Sequence, residues 1–121
     1  MENWKKGYKV VQKFPKTYRS FAHKTGNLYR SKIYRLGKST KRTRRDGPLA
    51  VFGTLTDAVR FVGCYGGGEY NNVICLCSYL ESSDVTYWQN APGHIQIQTS
   101  ARGVRGKRFA DAVVLLEEVW S

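Results

Sequence analysis

The chain predicts a single α+β domain over residues 1–121: a twisted, mainly antiparallel sheet of about five or six strands with one short helix at about 55–63. Three observations lead there. Short β-prone segments separated by Gly, Pro, Asn and Ser recur from Gly7 to Thr99. Thr54-Leu55-Thr56-Asp57 has capping-box spacing, with Asp in place of the usual Glu or Gln, ahead of an apolar stripe. Val73 to Leu80 is an apolar run with apolar residues on both faces, which suits a central strand.

Residues 7–14 are β-prone and mixed in polarity, and Pro15 ends that strand. Tyr18 to Ala22 and Leu28 to Leu36 read as two strands joined through Lys24-Thr25-Gly26-Asn27, where Gly supplies a positive φ. In the second, Leu28, Arg30, Lys32 and Tyr34 share one face, and Tyr29, Ser31, Ile33 and Arg35 the other. Neither face is cleanly apolar, so one side should be wet and cationic. Residues 37–48 have no apolar anchor and read as an exposed basic loop. Leu49 to Phe52 is a short buried strand. Val59, Phe61 and Val62 form the inner face of the helix, which Gly63 ends; Gly66 to Gly68 make a connection. Tyr87 and Trp88 fall in an irregular stretch before Pro92-Gly93, and Ile95, Ile97 and Thr99 alternate with Gln96 and Gln98 as in a half-buried strand. Residues 112–119 fit either a helical stripe or a strand, and propensity alone leans to helix.

Gly7-Tyr8-Lys9-Val10-Val11, then Gly47-Pro48-Leu49-Ala50-Val51-Phe52-x-Thr54-Leu55-x-x-Ala58-x-x-Phe61, then the β-run at Val73, then Phe109-Ala110-Asp111-x-Val113-x-Leu115 occur in that order. This order resembles a loosely defined group of small uncharacterised domains from bacteriophages and other viruses. The resemblance covers about three quarters of the chain and implies that residues 112–119 are a strand. It brings no activity and no functional residue with it.

Charge is the most informative compositional feature. Fifteen of the twenty Lys and Arg residues precede Pro48, accompanied only by Glu2 and Asp46, a net +13. Residues 49–121 carry a net −2. With 41% hydrophobic and 13% aromatic residues, the chain has the means to fold, so the excess belongs to a packed body and not to a disordered polycation. The first residues lack the apolar stretch of a secretory signal, and no run is long enough to span a bilayer. A soluble, intracellular, cytoplasmic protein is expected, with nucleus or virion as other locations.

Lys38, Lys41, Arg42, Arg44 and Arg45 stand among Ser39, Thr40 and Thr43, and with Arg30, Lys32 and Arg35 place eight cations within sixteen residues. Guanidinium forks and hydroxyls together suit phosphate oxygens. Tyr18, Tyr29 and Tyr34 lie close enough in sequence to stack on unpaired bases. The bland reading is a solvated loop with tyrosines in the core. Lys41 to Arg44 also matches a short nuclear-import pattern. Arg102, Arg105, Lys107 and Arg108 form a second basic cluster with Gly103 and Gly106, and whether the two clusters converge decides between one groove and two separate wet edges. Tyr87 and Trp88 are candidates for a partner contact or for capping the core.

Other chemistries find little support. Cys64, Cys75 and Cys77 are an odd set in a chain without export features, and Cys75 and Cys77 would share one strand face as small hydrophobes. A zinc site would need a second ligand pair beyond His23 or His94. Gly63 to Gly68 follows a helix instead of opening one, so it is no phosphate loop. No acid stands at a readable spacing from either histidine. The expected protein is therefore non-enzymatic, without metal or cofactor, and holds nucleic acid or another polyanion by its phosphates. An acidic protein surface, or a small anionic nucleotide, is the alternative partner. Oligomeric state and the choice between RNA and DNA are not legible.

Overall fold

The structure is a computed structural model that describes residues 3–20, 32–42, 48–65, 71–83, 86–91, 95–100 and 106–121. For 64–65, 86–91 and 95–100 only the backbone is described. The elements are β1 (Trp4–Lys13), β2 (Tyr18–Ser20), β3 (Ile33–Tyr34), β4 (Ser39–Lys41), β5 (Leu49–Phe52), α1 (Leu55–Tyr65), β6 (Asn72–Glu81), β7 (Thr86–Ala91), β8 (Ile95–Ser100) and β9 (Lys107–Trp120).

The expected α+β class holds, with a mostly antiparallel sheet and one helix. The strand number does not. Seven strands form the main sheet, and β7 and β8 pair as a separate two-stranded ribbon. β2 and β3 fall within the strands expected at Tyr18–Ala22 and Leu28–Leu36; the strands not expected are β7 and β4, the latter three residues long and too short to carry an alternation that side-chain types could reveal. Ser39–Lys41 was expected in an exposed loop. It is instead held by pairing with Ala112–Val114, so a backbone ladder supplies the anchor that apolar side chains do not. Tyr87 and Trp88 likewise lie on β7, opposite Thr99 and Gln98, and not in irregular chain.

The pairings close on themselves. β6 is bonded on one edge to β1, from Trp4↔Leu80 to Gln12↔Asn72, and on the other to β9. The outer edges of β1 and β9 are then bridged by β5, through Tyr8↔Phe52 and Leu49↔Ala110 to Phe52↔Lys107. β2 and β3 extend β1, β4 extends β9, and Thr40 Oγ1 donates to the Ile33 carbonyl at 3.3 Å where β4 meets β3. The result is a small barrel-like closure. The strand expected at 112–119 is part of β9, whose register with β6 shifts at three places and so lets so long a strand curve around the core.

Alternation decides what lies inside. Val11, Val73, Cys75, Cys77, Leu115 and Val113 meet Leu49, Val51, Ala110, Tyr34 and Tyr79 in the interior. Each full burial of such a side chain is worth roughly 1.5–3 kcal/mol. The opposite face of β1, β5 and β6 carries Val10, Phe52 and Ile74, on which α1 lays Leu55, Ala58, Val59, Phe61 and Val62. Phe52 and Phe61 rings meet at 5.1 Å. The helix starts as its capping residues require, with the Asp57 N–H donating to Thr54 Oγ1 at 3.2 Å. It runs past Gly63 to Tyr65 because its packed face outweighs the weak helix propensity of one glycine.

Gly7 is where β1 must do without a side chain. A Cβ there would stand 2.9 Å from the Phe52 carbonyl oxygen and 2.9 Å from Cε1 of Tyr79. Gly7→Ala should therefore lower stability by about 1–3 kcal/mol, read as a lower urea midpoint with an unchanged slope.

Candidate functional site

The structure separates the basic residues by what neutralises them. Arg42 is pinned: Nη1 lies 3.5 Å from Asp111 Oδ1 and donates to Ser82 Oγ at 3.4 Å. Lys5 pairs with Glu81, Lys13 with Glu118 at 3.1 Å, and Arg60 with Asp57 at 3.2 Å. By contrast Lys16, Arg19, Arg35, Lys38 and Lys41 have no carboxylate partner among the described residues. Lys32 is half-buried, its backbone bonded to Ser20 through N–H to Oγ at 2.9 Å. Arg30, Arg44, Arg45, Arg105 and Tyr29 lie outside the described residues. Of Tyr87 and Trp88 only the backbone is described, on β7.

The described parts of the two basic clusters are spread along β9, with Lys41 opposite Ala112 and the Arg42 N–H donating to the Asp111 carbonyl, three residues from Arg108. Arg108 stands opposite Val51, near Gly53, and feels the charges of Lys5 and Glu81. The turn at Arg35–Lys38 is tied to the far part of β9, where the Gly37 N–H donates to the Leu115 carbonyl at 2.8 Å. Leu115 and Arg108 are seven residues apart on one strand, about 23 Å at ordinary strand rise.

Tyr34 cannot stack on a ligand. Its side chain is 0% exposed and belongs to the barrel core, and burial pushes its hydroxyl well above the usual phenol range. The reason is parity: Ile33, its neighbour on β3, takes the outward position and is 42% exposed. Tyr18 is half-buried, its hydroxyl donating to Glu118 Oε2 at 2.9 Å, and burial followed by that carboxylate raises it to about 12.

Among the described residues, an aromatic that does face solvent beside cations without a carboxylate partner is Phe14. It sits on the four-residue connection between β1 and β2, closed by Phe14 N–H to the Thr17 carbonyl at 2.9 Å and stiffened by Pro15. Phe14 is 41% exposed and Leu36 is 48% exposed. They line a shallow recess of about 260 Å³ with Pro15 and Lys16. The Arg19 guanidinium lies 5.5 Å from the Phe14 ring centroid. Below, Glu118 is held ionised, its carboxyl lowered first by the Lys13 hydrogen bond. Sequence reasoning missed this corner, although Lys13-Phe14-Pro15-Lys16-Thr17-Tyr18-Arg19 interleaves cations and aromatics around a proline.

Inside the barrel stands an ammonium with no carboxylate partner among the described residues. Lys9 is 6% exposed, donates to the Ala50 carbonyl at 2.6 Å and lies 5.4 Å from the Tyr34 ring centroid. Burial, aided by Lys107, lowers it from 10.5 to about 8. Cys75 and Cys77 share this core, where burial raises them to about 12 and about 11. Thiols so held are protonated at neutral pH and make poor nucleophiles.

Among the described residues, no three metal-ligating side chains gather and no helix is long and apolar enough to cross a membrane. Family models, curated proteins and solved structures show no match to the chain. The class defined by fold and surface is thus a small, closed antiparallel barrel with one external helix and a cationic corner.

Proposed function

We propose that the chain is a non-enzymatic binding protein, of the kind a phage or other virus encodes, that holds nucleic acid through its backbone phosphates. One observation carries the reading: Lys16, Arg19, Arg35, Lys38 and Lys41 stand on adjoining segments, and among the described residues no carboxylate neutralises them. Among the described residues, Glu81, Glu118, Asp111 and Asp57 pair instead with Lys5, Lys13, Arg42 and Arg60. Unpaired cations in a cluster raise the local potential and draw counterions that a polyanion would displace.

A salt titration tests this. With three to five phosphates engaged, log affinity for a single strand should fall against log salt with a slope of about −2 to −3.5. A flat line, or no binding at low salt, removes the reading. If a protein partner is instead recovered undiminished after nuclease treatment, the cationic corner serves an acidic protein surface.

A further inference from the structure

We infer that the recess between Phe14 and Leu36 receives an unpaired base, so that the chain takes single-stranded nucleic acid in preference to duplex; this rests on the phosphate-binding reading above. Phe14 and Leu36 belong to neither core cluster, so the fold does not account for them. Their setting points to one ligand chemistry. Arg19 stands over one face of the Phe14 ring, and a base laid on the other face would complete a stack. Lys16 lines the same recess. Arg35 and Lys38 flank Leu36, with the Lys38 N–H donating to the Arg35 carbonyl at 3.1 Å. An apolar recess lined by Lys16 and neighboured by Arg19, Arg35 and Lys38, none with a carboxylate partner among the described residues, matches a polymer that carries flat bases on a phosphodiester chain.

Duplex cannot use the recess, because its bases are paired and stacked between two backbones. The platform is also pre-set. Pro15 fixes the turn, and Thr17 anchors the backbone of Phe14. Among the described residues, the acid bonded to the recess lining, Glu118, is engaged by Lys13 and Tyr18 and does not stand as a free repelling charge.

The experiment compares four probes at one low salt concentration: an oligothymidylate of about a dozen nucleotides, an abasic strand with the same phosphates, a hairpin duplex and free thymidine monophosphate. Wild type should bind oligothymidylate at least about fivefold more tightly than the abasic strand or the duplex. Phe14→Ala should erase that advantage, weakening the oligothymidylate about five- to a hundredfold while leaving the duplex unchanged, and Phe14→Trp should restore it. Because Phe14 is exposed, the variant should keep the wild-type unfolding midpoint. Equal binding of abasic strand and oligothymidylate, or an unaffected Phe14→Ala, overturns the base-stacking inference and leaves the phosphate reading standing. Free nucleotide binding as tightly as the polymer overturns it too. Failure of every probe to bind removes both.

Discussion

Reversing Lys16, Arg35, Lys38 and Lys41 together to Glu should reduce nucleic-acid affinity at low salt by more than about a hundredfold. All four side chains are exposed and lack an acidic partner among the described residues, so their replacement removes no ion pair from the described fold. Each phosphate no longer engaged also subtracts about 0.7 from the salt slope for a single strand. A surviving residual interaction should therefore be nearly insensitive to salt. The unfolding midpoint should move little, as surface substitutions usually do. Arg42→Glu supplies the contrast: it sets a carboxylate beside Asp111 and abandons Ser82, so its main effect should be on stability. Retention of wild-type affinity by the fourfold variant would sink the proposed function.

The second large effect is a rise of stability on the alkaline side of neutrality, caused by Lys9. Its ammonium titrates at about 8 in the folded chain against 10.5 as an ordinary lysine. Between those values the unfolded chain binds more protons, so stability climbs as pH rises through the interval. Below about pH 8 both states carry the charge, and its burial costs on the order of 3 kcal/mol. Lys107, lowered by burial, adds in the same direction. Cys75, Cys77, Tyr18 and Tyr34 oppose it, since burial keeps their protons on in the folded state. Their contribution is lost as pH climbs past the ordinary thiol value of 9.0 and then the phenol value of 10.0. Urea unfolding from pH 7 to 10 should therefore show a maximum near pH 9. Lys9→Met keeps the volume and removes the charge, so most of the ascending limb should vanish while the descending limb remains. A variant with the full wild-type rise would show that Lys9 is not its source.

Legibility in the sequence followed the strength of each local pattern. β5, β6 and α1 were readable because an apolar run or a capped stripe marks them, and β8 because Ile95, Ile97 and Thr99 alternate with glutamines. β4 was not, because backbone pairing with β9 holds Ser39–Lys41, and no side chain records that. Propensity leaned to a helix at 112–119, but ladders to β4 and β6 on its two edges make it strand, as the resemblance to viral domains implied. The interior position of Lys9 was hidden for a related reason. In Tyr8-Lys9-Val10-Val11 a lysine looks like the polar half of an alternation, and only the opposition of Cys75 shows which way it points. At the candidate site, the cations at 35–41 were found by composition. Phe14 was overlooked because Pro15 looked like the end of a strand, not the pivot of a turn that displays its neighbour.

β4, β5 and β6 all depend on a single late segment, β9, for one of their hydrogen-bonded sides. During synthesis those three ladders stay incomplete until the ribosome has released residues 107–120. A nascent chain halted earlier would offer unsatisfied amide and carbonyl rows to any neighbour, with a thirteen-cation excess among its first 48 residues to attract polyanions. Sealing the ring thus waits on contacts between residues far apart along the chain, a kind of closure that is intrinsically slow.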